Sequence, residues 1–147
     1  MEIITKSANE TMALGQKIVN LARSGSVFCL TGDLGAGKTT LVKGMAQALG
    51  IKSIVQSPTF NIMKIYFDGL RPLIHIDAYR LENANIDIGL DEYIGYETGF
   101  TVIEWPEYIL KLIPKSAITI NITNLGEDNR KIVITGGDKT LLEGLNK

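Results

Sequence analysis

Apolar residues recur along the chain in two spacings, which predict alternating strands and helices. Residues 26–31 form a short apolar and β-branched run that is typical of a buried strand. Residues 39–49 then carry apolar side chains at helical spacing, and Gly50 is placed to end that helix. Ser7 and Glu10 have capping-box spacing, so a first helix is expected over residues 8–23.

The second half of the chain departs from a uniform alternation of strand and helix. Alternating residues 61–67 and the apolar run 73–76 flank an Asp-Gly turn signal at 68–69, which predicts a hairpin. The other predicted elements are a β-leaning segment at 51–55, a short helix at 90–93, a buried strand at 100–103, a short helix at 106–112, a hairpin of strands 117–123 and 131–135, and a last frayed turn at 141–145.

Composition limits the class of protein. The chain has 147 residues, 45% of them hydrophobic and 21% charged, which favours one globular domain spanning residues 1–147. The net charge of −1 gives no basic field for nucleic acid. One cysteine cannot form an internal disulfide, and no apolar run approaches the ~18 residues of a membrane span. We therefore expect a cytoplasmic protein that does not enter a membrane.

Residues 32–39 read Gly-Asp-Leu-Gly-Ala-Gly-Lys-Thr and match the phosphate-binding loop pattern at each fixed position. The predicted strand before the loop and the helix after it are the context that this motif requires. Glycines let backbone N–H groups turn around phosphate oxygens, while Lys38 is expected to reach the β- and γ-phosphates and Thr39 to ligate Mg²⁺. The alternative is a glycine-rich turn that only happens to precede a helix.

Two predicted strands end in carboxylates, Asp77 and Glu104. The carboxyl ends of parallel strands face the bound phosphates in such folds, so the two acids are candidates for holding Mg²⁺ or orienting water. His75 lies on the same face of its strand and is either a catalytic residue or, more simply, a structural one. Arg80 is equally consistent with a phosphate contact or a salt bridge, and Trp105 with a ligand contact or core packing.

Two further segments are candidates for contacts with a nucleotide. Residues 57–60 read Ser-Pro-Thr-Phe, a stiff turn at the place where a γ-phosphate-sensing switch would lie, although an ordinary proline turn has the same pattern. Thr11, in the first turn of the first helix, is placed either to touch the base or simply to be solvated.

From the residues alone we predict a small Mg²⁺-dependent nucleoside triphosphatase or phosphotransferase. The sequence by which GTPases recognise guanine is absent, which favours ATP. A small-molecule kinase remains a rival, but only Arg71, Arg80 and Arg130 follow the loop helix, fewer arginines than a kinase lid usually carries. A scaffold that binds nucleotide without turning it over is the other alternative.

Four motifs in order resemble the TsaE family, the bacterial ATPase component of tRNA threonylcarbamoyladenosine synthesis. They are the loop with its second threonine at 32–40, Ser-Pro-Thr-Phe at 57–60, His-Ile-Asp-Ala-Tyr-Arg-Leu at 75–81 and Ile-Glu-Trp-Pro-Glu at 103–107. The resemblance covers essentially the whole chain. It implies an α/β P-loop fold whose central, mostly parallel sheet is extended by antiparallel strands and flanked by helices.

The resemblance also implies roles for individual residues. Thr39 and Glu104 would contact Mg²⁺, Lys38, Asp77 and Glu104 would serve hydrolysis, and Thr59 would belong to the switch. The nucleotide contacts that it implies are Thr11, Gly35, Ala36, Gly37, Lys38, Thr39, Thr40, Thr59 and Trp105. In that family ATP hydrolysis is slow alone and serves TsaD and TsaB, which modify adenosine 37 of tRNA; tRNA is thus an indirect partner.

Overall fold

The computed structural model describes residues 1–33, 35–56, 58, 62–81 and 89–147. Its strands are β1 (Glu2–Thr5), β2 (Val27–Thr31), β3 (Met63–Tyr66), β4 (Leu73–Asp77), β5 (Phe100–Glu104), β6 (Ile118–Gly126) and β7 (Asn129–Thr135). Its α-helices are α1 (Ala8–Leu21), α2 (Lys38–Ala48) and α3 (Lys139–Leu145), and 3₁₀ segments occupy Tyr79–Leu81, Leu90–Glu92 and Pro106–Leu112. None of the helices in these ranges is long and apolar enough to cross a membrane.

All seven strands belong to one sheet with the order β1-β7-β6-β2-β5-β4-β3. The four central strands, β6, β2, β5 and β4, pair in parallel. Antiparallel strands extend the sheet at both sides, β7 and β1 on one and β3 on the other. This arrangement confirms the predicted α/β class and both predicted hairpins.

Burial of the central strands explains their continuous apolar runs. All five residues of β5 are buried, because one face of the sheet packs on α1, α2 and α3 and the other packs on the 3₁₀ segments. Strand β6 alternates instead: Ile118, Ile120 and Ile122 are buried, and the residues between them are exposed. The second face of the sheet is therefore less covered at β6, close to the loop that follows β2.

Helix α1 begins at its predicted cap. The Ser7 hydroxyl accepts a hydrogen bond from the Glu10 N–H at 3.1 Å, and the Glu10 carboxylate accepts one from the Lys6 N–H. The helix ends at Leu21, two residues before the predicted end. Helix α2 begins at Lys38, one residue earlier than predicted, with Gly37 as its N-cap.

Several predicted elements differ in the structure. Residues 51–55 form no strand; the N–H groups of Lys52 and Ser53 instead bond to the Asp68 carboxylate, each at 3.0 Å. The short helix predicted over residues 106–112 is present with those bounds; it is of the 3₁₀ type, with non-helical backbone at Ile109. Strand β1 was not predicted, and α3 is longer than the expected last turn because Asp138 caps it.

Helices α1 and α2 approach closely at two glycines. A Cβ added to Gly15 would lie 2.3 Å from the Leu41 carbonyl oxygen, and one added to Gly44 would lie 2.0 Å from the Met12 carbonyl oxygen. Both obstacles are backbone atoms, which a rotamer change cannot move. The absence of side chains at these positions therefore sets the distance between the two helices.

We expect Gly44→Ala to destabilise the protein by about 2 kcal/mol or more, because overpacking outweighs the helix propensity that alanine gains. Urea unfolding measures this change. Gly144→Ala in α3 is the matched control, since the atoms nearest to its added Cβ belong to the side chain of Leu21 and not to the backbone. An equal or smaller loss in Gly44→Ala would contradict the close-packing account.

Candidate phosphate-binding site

The loop between β2 and α2 has a backbone that favours glycine at two decisive places. A Cβ at Gly32, where φ is 143°, would lie 2.4 Å from the Ile122 carbonyl oxygen of β6. Gly37 caps α2 with φ 107°, in the left-handed region. The loop thus leaves β2 in contact with β6 and turns directly into the N-terminus of α2, where N–H groups and the helix dipole favour an anion.

Lys38 and Glu104 meet beneath this loop. Both residues are buried, at 9% and 5% exposure, and Lys38 Nζ lies 3.8 Å from Glu104 Oε1. His75, which is completely buried, places Nε2 at 2.7 Å from Glu104 Oε2. A buried carboxylate is costly unless it is paired, and here its two oxygens face two different partners.

Strand register explains why the two predicted acids are neighbours. Glu104 is aligned with Leu30 on β2 and with Asp77 on β4, since all three strands are parallel. Asp77 Oδ1 accepts a hydrogen bond from the Tyr79 N–H at 3.0 Å, which starts the turn after β4. The two carboxylates therefore lie side by side at the edge of the sheet that carries the loop.

These groups open into a cavity of about 800 Å³. Most of the predicted site residues line it, namely Gly35, Gly37, Lys38, Thr39, Thr40, Asp77, Glu104 and Trp105. Tyr79, Arg80, Pro58 and Arg130 complete the described lining. The structure thus brings the loop, the start of α2 and both strand-end acids to one concave site of a size suited to a nucleotide.

Two predicted nucleotide contacts, Ala36 and Thr11, are not among the residues described as lining the cavity. Ala36 is buried, and its N–H donates to the Asp33 carbonyl at 3.0 Å. Thr11 is buried at 2% exposure rather than solvated, with its hydroxyl 2.7 Å from that of Thr5. Thr5 pairs with Arg130 across β1 and β7, so Thr11 lies behind the strand pair that carries a cavity residue.

The predicted switch at 57–60 falls mainly outside the described residues. Ser57, Thr59 and Phe60 are not described, and Pro58 lines the cavity. The roles of Thr59 and its neighbours therefore stay predictions.

Trp105 adopts a left-handed backbone, with φ 57°, directly after Glu104. Its ring stacks on Tyr108 at a centroid distance of 5.9 Å and lies 5.0 Å from that of Tyr79. Lys38 Nζ is 5.3 Å from the Trp105 ring centroid, within the range of a cation–π contact. Trp105 therefore packs against neighbouring aromatic residues and also borders the cavity, while its contact with a ligand stays a prediction.

Arg130 is a cavity residue that sequence reasoning did not identify. Its Nη1 donates to Asn124 Oδ1 and to the carbonyl oxygens of Glu127 and Asn129, at 2.8–3.1 Å. Its Nε would lie 3.3 Å from a Cβ at Gly37. The turn between β6 and β7 thus holds the guanidinium against the phosphate loop, and only the strand order indicates this proximity.

A second, polar cavity of about 420 Å³ lies on the other side of Lys38 and Trp105. The polar residues that line it are Thr31, Asp33, Glu107, Asn121 and Thr123. Asn121 and Thr123 belong to the less covered face at β6. The two cavities share Lys38 and Trp105, so a terminal phosphate near Lys38 would border both.

Cys29, on β2, takes no part in the polar cluster. Burial raises the pKa of its thiol to about 11, so the sulfur stays protonated at neutral pH and is a poor nucleophile. Within the described ranges, no three His, Cys, Asp or Glu residues converge as a metal-binding group. Thr39 and Glu104 both line the larger cavity, which is the donor set that a Mg²⁺ ion shared with phosphate oxygens would use.

The chain is similar to known proteins over almost its whole length. It is 45% identical over 131 residues to the tRNA threonylcarbamoyladenosine biosynthesis protein TsaE of Bacillus subtilis, covering 89% of this chain and 82% of that one. It is 40% identical to TsaE of Treponema pallidum, covering 91% and 99%. The crystal structure of YdiB from Bacillus subtilis superposes with a TM-score of 0.81 at 36% identity, covering 99% and 91%.

A family model confirms the resemblance that the four motifs carry. The model described as threonylcarbamoyl adenosine biosynthesis protein TsaE matches residues 5–132, from the last residue of β1 to the middle of β7, and this range includes every residue described as lining the cavity. With the loop, the strand-end acids and the mixed sheet in place, the chain belongs to the TsaE family.

Proposed function

We propose that this protein binds ATP with Mg²⁺ and hydrolyses it in support of tRNA threonylcarbamoyladenosine synthesis. The observation that carries the ATPase part is the buried contact of Lys38 with Glu104 beneath the glycine loop. Burying two opposite charges at the rim of a cavity costs folding free energy, so the pair is poorly explained by a contribution to stability. A bound triphosphate and its cation would engage both groups. The names of the relatives support the tRNA-modification part.

In this proposal each residue has a role that follows from its position in the cavity. Loop N–H groups and Lys38 would bind the β- and γ-phosphates, and Thr39 and Glu104 would hold the cation. Bound Mg²⁺ would supply charge neutralisation on the phosphates. Asp77 lies beside Glu104 in the register and is partly exposed, and in this proposal it would orient a water molecule. Trp105 and Tyr79 would shield this end of the cavity from bulk solvent.

The partners proposed for this chain are TsaD and TsaB, with tRNA engaged through them. The test is Mg²⁺-dependent ATP hydrolysis by the purified protein, alone and then with TsaD, TsaB and tRNA of the same organism. We expect a low basal rate that rises strongly when the partners are added. No rise, together with no physical association, would contradict the partnership.

The polar cavity beside Lys38 favours one second candidate, phosphoryl transfer to a small acceptor. An acceptor bound near Asp33 and Glu107 would border the terminal phosphate through Lys38. Two results would favour this kinase function: a metabolite mixture stimulates ATP consumption without TsaD or TsaB, and phosphate is transferred to an acceptor. Release of inorganic phosphate that depends on the partners would exclude it.

We expect Glu104→Gln to lower the rate of hydrolysis by about 100-fold or more, because one charged group at the reacting phosphate is lost. Glutamine keeps the volume and an oxygen for His75, so the melting temperature should change little. Glu143→Gln, an exposed residue of α3, is the matched control. A Glu104→Gln enzyme with normal turnover would remove Glu104 from its assigned role.

We also expect Arg130→Ala to weaken the binding of ATP and of ADP equally, by about tenfold for each nucleotide. The reason is that the variant loses one charge-assisted hydrogen bond to the nucleotide. Strands β7 and β5 lie on opposite sides of β2, so Arg130 is placed away from the end marked by Glu104. Calorimetry measures both affinities, with the exposed Arg71→Ala as control. A loss confined to ATP would instead place Arg130 at the terminal phosphate.

A further inference from the structure

His75 is a polar residue in a position built for an apolar one. It lies in the middle of β4, whose described neighbours are Leu73, Ile74 and Ile76, and it is completely buried. Burying an imidazole without a hydrogen bond costs more than burying an aliphatic side chain of similar size. His75 makes one such bond, from Nε2 to Glu104, and its buried Nδ1 meets no hydrogen-bond partner in the described structure. The hydrogen bond to Glu104, and not packing in the apolar core, therefore explains why a histidine lies at this position.

The sheet register makes this contact specific. His75 is aligned with Val102 on β5, and Glu104 is the next residue on the same face of β5. A side chain on β4 therefore reaches diagonally along the face to the carboxylate at the end of β5. An ionised carboxylate only accepts hydrogen bonds, so the imidazole donates from Nε2.

The carboxylate is shared unequally between its two neighbours. Oε2 lies 2.7 Å from His75, a normal hydrogen bond, whereas Oε1 lies 3.8 Å from Lys38 Nζ, beyond hydrogen-bond distance. His75 thus holds the carboxylate by one oxygen and leaves the other facing Lys38 at the cavity. Without that hold, the ammonium group of Lys38, 3.8 Å from Oε1, is a charged donor toward which the carboxylate can turn.

We propose that His75 is a positioning residue: it fixes Glu104 Oε2 so that Oε1 is presented to the cation, and it keeps Glu104 from closing onto Lys38. This inference deepens the proposed ATPase function and rests on it. It predicts that loss of the Nε2 donor raises the Mg²⁺ concentration needed for half-maximal hydrolysis. A group that orients a metal ligand commonly contributes about 10- to 100-fold to metal affinity or activity.

Three substitutions separate positioning from packing. His75→Gln places an amide nitrogen close to the position of Nε2, His75→Asn places one closer to that of Nδ1, and His75→Leu fills the space without a donor. We expect half-saturation by Mg²⁺ to stay within about threefold of wild type for glutamine and to rise about tenfold or more for asparagine and leucine. Melting temperatures above the assay temperature show that each variant is folded.

The outcomes are distinct. Wild-type half-saturation in the leucine and asparagine variants would overturn the proposal, as would equal impairment in the glutamine variant, since that pattern indicates packing alone. If the leucine variant does not fold, the glutamine and asparagine pair decides. If the wild-type protein does not hydrolyse ATP, the proposed function fails separately, and the Mg²⁺ dependence of binding a fluorescent ATP analogue then tests His75 in the same variants.

Discussion

The parallel pairing of β2 with β5 is the constraint on which the rest of the site depends. It aligns Leu30 with Glu104, so the glycine loop and the strand-end carboxylate emerge at the same edge of the sheet. Both faces of β5 are covered, which leaves Glu104 buried and in need of partners. Lys38 from the loop and His75 from β4 supply them. The cluster is thus a consequence of strand order, and Lys38 and Glu104 both line the larger cavity.

Three parts of the chain that are distant in sequence meet around this cluster. The loop and α2 provide N–H groups and Lys38, β4 and β5 provide Asp77 and Glu104, and the turn between β6 and β7 provides Arg130. Strands β5 and β7 lie on opposite sides of β2, so the acids and Arg130 mark opposite ends of the site. This separation supports the proposal that one end would hold the cation and terminal phosphate and that the other end would hold the rest of the nucleotide.

Sequence reasoning succeeded where a local pattern determines the structure. The loop motif, the capping Ser7 and the buried run of β5 each depend on residues that are neighbours in the chain. It failed where tertiary contacts decide. Strand β1 is a four-residue edge strand with little alternation, and its pairing with β7 needs a partner more than 120 residues away. Residues 51–55 have strand-like side chains, but their N–H groups bond to Asp68 instead of to a neighbouring strand.

The same distinction between local sequence patterns and tertiary contacts applies to the candidate site. Asp77 and Glu104 were recognisable because each lies at the end of an apolar run in the sequence, whereas their alignment as neighbours could be known only from the register of β4 and β5. The role of His75 was not recognisable, because a lone histidine in a strand carries no local sign of the carboxylate that it meets. Arg130 was overlooked for a similar reason: it follows a hairpin turn, and only the order of β6 and β7 beside β2 brings it to Gly37.

The central claim is that the loop and Glu104 form one site for a triphosphate and its cation together. Calorimetric titration of ATP into the protein, with Mg²⁺ and then with excess EDTA, tests it most directly. The account predicts at least about tenfold tighter binding with Mg²⁺, and no comparable binding of Mg²⁺ alone, because few protein groups converge on the cation without phosphate oxygens. Equal affinity for ATP with and without the cation would contradict it.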